Sequence, residues 1–278
     1  MTIAVASGKG GTGKTTVAAN LAWLLAGRRS TQYLDCDVEE PNGHLLLHPV
    51  LEAAEKVAVP VPVVERERCD GCGACARACQ FRALAALPTG VLTFPELCHG
   101  CGGCALVCPR GAIGEGERVV GAVESGRAGP LAFVHGRLRI GEAMSPPLVR
   151  AVTAHVSPER LVIIDAPPGT SCPVVAALQA ADLVLLVAEP TPFGLHDLGL
   201  AADLARKMGK PRGLVINRCD LGDDRLLRYA DKQEIAVWAS LPHDRRAAEA
   251  FAHGLLAAQA VPEFGRLLAP LADRLGAL

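Results

Sequence analysis

Aromatic side chains are scarce, at 4% of the chain. Surfaces that hold single-stranded nucleic acid stack bases on aromatic rings, so the composition argues against that class. An excess of either charge is also missing. Twenty-eight Lys and Arg stand against 29 Asp and Glu, a net charge of -1, which leaves no basic field for a duplex or an anionic membrane. No apolar run reaches the roughly 20 residues of a membrane span. The opening MTIAVASGKGG has neither the basic nor the apolar stretch of an export signal. The expectation is a cytoplasmic protein without a nucleic-acid partner, without stable membrane insertion and without disulfides.

Cysteine, by contrast, is plentiful: 11 residues, eight of them in two runs. The runs read Cys69-x2-Cys72-x2-Cys75-x3-Cys79 and Cys98-x2-Cys101-x2-Cys104-x3-Cys108-Pro109, each cysteine of the second lying 29 positions after its counterpart (98 against 69, 108 against 79). Three thiolates at CxxCxxC spacing wrap one face of a 4Fe-4S cube, and the fourth cysteine of each run belongs to the other cluster in two-cluster ferredoxins. The spacing therefore predicts one cluster on Cys69, Cys72, Cys75 and Cys108 and a second on Cys98, Cys101, Cys104 and Cys79. Gly71, Gly73, Gly100, Gly102 and Gly103 suit a backbone that bends tightly around inorganic sulfur. Gln80 replaces the proline of the second run, which alters a turn and no ligand. Zinc sites take four ligands in CxxC pairs across a longer gap, a pattern these eight cysteines do not follow. Cys36, Cys172 and Cys219 remain, each beside a nucleotide motif, and read as buried small hydrophobes.

The amino terminus carries a second motif. Residues 2–7 read as a buried strand, and Gly8-Lys9-Gly10-Gly11-Thr12-Gly13-Lys14-Thr15 matches GxxxxGK[ST] at each fixed position. In such a loop glycine N–H groups close around phosphate oxygens and the next helix adds its positive end. Lys14 reaches the terminal phosphates, Thr15 offers its hydroxyl to Mg2+, and Thr16 adds a phosphate contact. Further on, residues 161–165 form an apolar strand ending in Asp165, placed to accept a hydrogen bond from magnesium-bound water.

With Lys9 just after the first glycine, GKGGTGKTT resembles the deviant P-loop of the MinD/ParA family, which includes the nitrogenase iron protein and the Mrp-type cluster carriers. The resemblance implies an ATPase that forms a nucleotide-dependent homodimer, with Lys9 reaching the partner's phosphate. It makes Asp35-Cys36-Asp37 and Glu39-Glu40-Pro41-Asn42 a first switch, with Asp37 rather than Asp35 holding the attacking water. It makes Ala166-Pro167-Pro168-Gly169-Thr170 a second switch. Glu189-Pro190-Thr191-Pro192-Phe193-Gly194-Leu195-His196-Asp197 resembles a narrower subgroup, the MinD-superfamily ATPases with an inserted ferredoxin domain; His196 within it reads as structural. Residues 214–220 resemble the family's adenine loop, with Asn217 and Arg218 at the base. Asn217-Arg218-Cys219-Asp220 is also one substitution from an NKxD guanine-reading loop, since an aspartate accepts hydrogen bonds from guanine N–H groups. The wider resemblance favours ATP.

Apolar strand-like runs at 2–7, 32–34, 161–165, 183–188, 212–217 and 235–239 alternate with helix-length segments. That is the pattern of an α/β fold, a mostly parallel sheet covered by helices on both faces. The expected organisation is a P-loop ATPase domain in two parts, 1–64 and 116–278, around an inserted α+β bacterial ferredoxin-like module at 65–115. Residues 57–64, 119–124 and 131–138 read as strands, 114–117 and 126–130 as turns, and 261–278 as a helix broken at Pro270 without the basic face of a membrane anchor. Mrp-type carriers hold a bridging cluster on a CxxC pair, which this chain lacks outside the two runs. Three functions stand open: an ATP-gated electron carrier with a redox partner, an iron-sulfur assembly or delivery factor, and a MinD/ParA-like positioning ATPase whose clusters are structural or sensing.

Overall fold

The computed structural model describes residues 1–277. The strands are β1 (Thr2–Ala6), β2 (Thr31–Asp35), β3 (Val50–Val64), β4 (Leu84–Leu87), β5 (Gly90–Thr93), β6 (Ile113–Ala128), β7 (Leu131–Leu138), β8 (Leu161–Asp165), β9 (Leu183–Ala188), β10 (Arg212–Asn217) and β11 (Ala236–Leu241). The chain divides into two compact units. The first holds Met1–Glu55, Val123–Arg137 and everything described from Leu148 onward; the second holds Lys56–Ala122 and Leu138–Pro147.

In the first unit the strand order is β11-β10-β9-β1-β8-β2-β7, followed by β6 and β3. Every pairing from β11 to β7 is parallel. Parallel strands are covered on both faces and so read as continuous apolar runs, as TIAVA, LVIID and LVLLVA do, buried at every residue. The helix Lys14–Ala26 buries Val17, Leu21 and Leu25, and these share one core cluster with Ile3, Val5 and Ile163. Parallel direction also fixes the site: the C-terminal ends of β1, β2, β8, β9 and β10 lie along one edge, where ligands of such sheets bind.

Four local expectations need correction. Residues 114–117 lie inside β6, not in a turn; a Cβ on Gly116 would come within 2.8 Å of Val63 Cγ2, so glycine there permits close strand approach. Gly126 is also in β6, its Cα packed against the Val50 carbonyl, and the turn is confined to Gly129 and Pro130. The strands read at 57–64 and 119–124 are longer, as β3 and β6. The helix Pro262–Gly276 runs through Pro270 unbroken. An interior proline costs about 3 kcal/mol, but Leu268, Leu271 and Leu275 are wholly buried around it, and each contributes about 1.5–3 kcal/mol. Their burial outweighs the missing hydrogen bond.

The second unit holds two short helices, Ala74–Ala78 with Cys75 and Gly103–Leu106 with Cys104, the antiparallel hairpin β4–β5, and the other six cysteines of the two runs in the loops around them. Its core is small: Val61, Cys75, Ala83, Leu84 and Cys98.

Candidate functional site

The P-loop occupies residues 7–13 between β1 and the helix that opens at Lys14. Gly11 and Gly13 adopt left-handed φ of 79° and 88°, and a Cβ on Gly13 would meet Asn217 Nδ2 at 2.3 Å. The Ser7 hydroxyl donates to the Lys9 carbonyl at 2.7 Å and fixes the loop's entry. Lys9, Gly10, Gly11, Gly13, Lys14, Thr15 and Thr16 line a cleft of about 410 Å3, together with Asp37, Asn217 and Arg218. That volume lies within the range of small-molecule sites. Gly8 and Thr12 do not line it. Gly8 packs on the Asp197 backbone, and the Thr12 side chain is buried while its carbonyl accepts Asn217 Nδ2 at 2.8 Å. Lys9 makes no ion pair among the described residues and faces the cleft free to act outward.

Beneath the loop sits a charge cluster built from the ends of β2 and β8 and the first residue of the helix. Lys14 Nζ donates to Asp165 Oδ1 at 2.8 Å and lies 3.9 Å from Asp37 Oδ2. Asp165 Oδ2 accepts the Tyr33 hydroxyl at 3.0 Å. Asp35 accepts the N–H groups of Asp37 and Gly43, at 3.1 and 2.8 Å, and so ties residues 37–43 to β2. Burial works to lower the Lys14 pKa, but Asp165, Asp37 and Asp35 outweigh it and the net shift is upward. Asp35, wholly buried and beside Asp165, is pushed up to about 8, and Asp37 to about 6, chiefly by burial. Of the two, Asp37 alone faces the cleft, which separates a carboxylate that can reach a ligand from one that shapes a loop.

The raised Asp35 value has a consequence for stability. Its ordinary value is 3.8, so between about pH 4 and pH 8 the unfolded chain has released a proton that the folded chain retains, and stability falls as pH rises across that window. Asp35→Asn should flatten this slope, read as urea midpoints at pH 5 and pH 8. A slope unchanged by the substitution would show that Asp35 ionises normally.

The 189–197 motif acquires a physical role here. Thr191 caps the helix Pro192–Lys207 by accepting Gly194 N–H at 3.0 Å, and Glu189 holds Arg218 through a 2.7 Å ion pair. A Cβ on Gly222 would strike the Pro190 carbonyl at 1.8 Å. The motif thus buttresses both the P-loop, at Gly8, and the loop after β10, while His196 is exposed on its helix. Asp220 is absent from the cleft lining; its Oδ1 accepts His243 N–H at 2.6 Å. The sequence reading missed the far wall, Pro242, His243, Asp244, Ala247, Ala248, Phe251 and Phe264. Asp244 caps the helix Arg245–Ala252 by accepting Arg246 N–H at 2.8 Å; an aspartate before a helical pattern was the available signal.

In the second unit Cys79, Cys98, Cys101 and Cys104 line one recess, and Cys69, Cys72, Cys75 and Cys108 line another. Burial raises the Cys75 thiol, which has Cys108 and Cys69 as neighbours, and burial raises Cys104, with Cys98 and Cys101 as its neighbours. Backbone N–H groups already point at sulfur: Ala83 to Cys79 and Ala112 to Cys108, both 3.3 Å, and Gly100 to Cys98, 3.4 Å. Among the described residues no group of three or more His, Cys, Asp or Glu is gathered tightly enough to hold a metal ion as it stands. Of the other cysteines, Cys36 is buried as expected, but Cys219 is half-buried and Cys172 is exposed at the start of its helix, so the buried-hydrophobe reading fails for Cys172.

Comparison with known proteins places the chain among relatives and gives its family. Two proteins of Methanocaldococcus jannaschii are similar: the uncharacterized protein MJ0579, 30% identical over 91% of this chain and 90% of its own, and MJ0578, 34% identical over 71% and 70%. Among solved structures, the septum site-determining protein MinD of Pyrococcus horikoshii, complexed with Mg-ADP, superposes with a TM-score of 0.64 at 19% identity, covering 99% of this chain and 96% of that one. MinD of Pyrococcus furiosus gives 0.62 at 21%, covering 98% and 96%. At those identities the structures establish the fold alone. Residues 3–257 match the CobQ/CobB/MinD/ParA nucleotide binding domain, and the chain belongs to that family.

Proposed function

We propose that this protein binds and hydrolyses ATP with Mg2+, and that pairing of two copies around nucleotide is coupled to electron transfer through two [4Fe-4S] clusters. The observation that carries the reading is the partition of eight cysteines into two recesses of four, in a chain that also holds a P-loop cleft. On the nucleotide side, Lys14 takes the terminal phosphates, Thr15 and Asp165 serve Mg2+, Asp37 positions water, and Lys9 reaches the second copy. Asn217 and Arg218 face the base. ATP is preferred to GTP because Asp220, the guanine-reading candidate, is turned to a backbone N–H. On the cysteine side, the donors fit the cluster: paired thiols, left-handed glycines at the bends, and N–H groups already directed at sulfur. When bound, such clusters supply one-electron transfer at low potential. No helix among the described residues is long and apolar enough to cross a membrane, which is consistent with a carrier that docks to a redox protein rather than inserting.

The test is linkage. If nucleotide closure and reduction are coupled, each must bias the other by the same factor, and about 59 mV in a one-electron couple answers to tenfold in affinity. Anaerobic protein should bind a non-hydrolysable ATP analogue with different affinities in its oxidised and dithionite-reduced forms. Equal affinities, in samples shown by scattering to form the ATP-bound dimer, would overturn the gated carrier and leave the cysteine unit as a structural or sensing element.

A further inference from the structure

Two carboxylates lie side by side at the C-terminal ends of β2 and β8, where Asp35 is paired in register with Asp165. Both are wholly buried. Each of their four oxygens has its own donor: Asp35 takes the N–H groups of Asp37 and Gly43, Asp165 Oδ1 takes Lys14 Nζ, and Asp165 Oδ2 takes the Tyr33 hydroxyl. These donors differ in their freedom to move. Two are backbone groups, Lys14 is a flexible side chain that lines the cleft, and Tyr33 is fixed by what surrounds it.

Tyr33 stands two residues before Asp35 on β2, wholly buried, with its ring stacked on Phe133 of β7 at a centroid distance of 5.8 Å. Gly43 closes over the hydroxyl. A Cβ there would meet Tyr33 Cε1 at 2.5 Å, the hydroxyl oxygen at 2.6 Å and Asp35 Oδ2 at 2.9 Å. Leucine or valine would fill a buried parallel strand without needing a partner, whereas a buried tyrosine must place its O–H. Here it is placed on Asp165.

Lys14 lines the cleft and Asp165 does not. The ammonium therefore covers the acid, and Asp165 Oδ1 opens to a ligand only when Lys14 turns toward a phosphate. The carboxylate then keeps the Tyr33 hydroxyl as its donor. Resting on the nucleotide and Mg2+ reading above, we propose that Tyr33 is a positioning residue for the ion: its hydroxyl anchors Asp165 Oδ2, so that Oδ1 is presented to magnesium-bound water once Lys14 has left it. A carboxylate held at one oxygen keeps its plane during that exchange, and it avoids the cost of a buried acceptor left unpaired.

The test is calorimetric binding of ADP to the full chain, in Mg2+ and in EDTA, for the parent and for Tyr33→Phe, which keeps the ring and its stack on Phe133. The parent is expected to bind ADP more tightly with Mg2+. Tyr33→Phe should lose about tenfold of that magnesium-dependent gain, the usual cost of removing an outer-shell partner of a metal site, and should match the parent in EDTA. A merely structural tyrosine would lower the melting temperature of the variant and leave the gain untouched. An unchanged gain, whatever the loss of thermal stability, would overturn the positioning role and leave the nucleotide reading standing. A parent whose ADP affinity ignores Mg2+ would overturn it as well. A folded parent that binds neither ADP nor a non-hydrolysable ATP analogue overturns both.

Discussion

Lys14→Ala is expected to abolish nucleotide binding, weakening it by at least about a hundredfold, because a charge-assisted hydrogen bond is worth about 3 kcal/mol and each 1.4 kcal/mol is tenfold. The same substitution strips Asp165 of its buried cation, and an unpaired buried charge costs about 3–5 kcal/mol of stability. Loss of binding must therefore be read in samples shown by circular dichroism to be folded. Asp37→Ala separates the functions. Asp37 lies in the cleft at 3.9 Å from Lys14, outside direct hydrogen bonding, so its removal should leave binding nearly intact and stop hydrolysis. Parent-like turnover in Asp37→Ala would remove it as the water-positioning group. Competition between ATP and GTP in the same assay tests base choice, with a GTP preference pointing back to Asp220.

The second large effect concerns iron. Two complete quartets predict about eight irons per chain after anaerobic reconstitution. Cys108→Ser should leave about four, and Cys69→Ser with Cys108→Ser should also leave about four, because both changes fall on one cluster. Cys79→Ser with Cys108→Ser should leave almost none. If each run of four cysteines kept its own cluster, Cys69→Ser with Cys108→Ser would instead leave almost none, so that double variant decides the pairing. The crossed arrangement is supported by the neighbours of Cys75, which are Cys108 and Cys69, and by the lining of the two recesses. A unit with so small a core around its cysteines leans on its cofactors, so iron loss should unfold it, visible as protease sensitivity between β3 and β6.

Local chemistry was legible without the fold. GKGGTGKTT specifies its loop because only glycine accepts the left-handed φ at Gly13 beside Asn217, and the boundaries of β8 and β9 follow from their apolar runs LVIID and LVLLVA. Errors arose where a residue's usual preference was overruled by its partners. Gly116 and Gly126 looked like turn residues and are strand residues at close approach; Pro270 looked like a helix stop and is carried by the leucines around it.

The sequence by itself determined which residues are the candidates to touch phosphate and to ligate iron, since spacing along the chain sets how few bonds separate neighbouring donors, and the 29-residue repeat wrote two cysteine runs of one design. Tertiary structure decided everything that depends on residues far apart in the chain. It distinguished Asp37 in the cleft from Asp35 beneath it, turned Asp220 toward His243, and supplied the wall from Pro242 to Phe264. It also set Asp70 against Arg110 and His99 against Phe81. The reason is physical: burial, field and hydrogen-bond competition are properties of a side chain's surroundings, and those exist only once the strands and loops have come together.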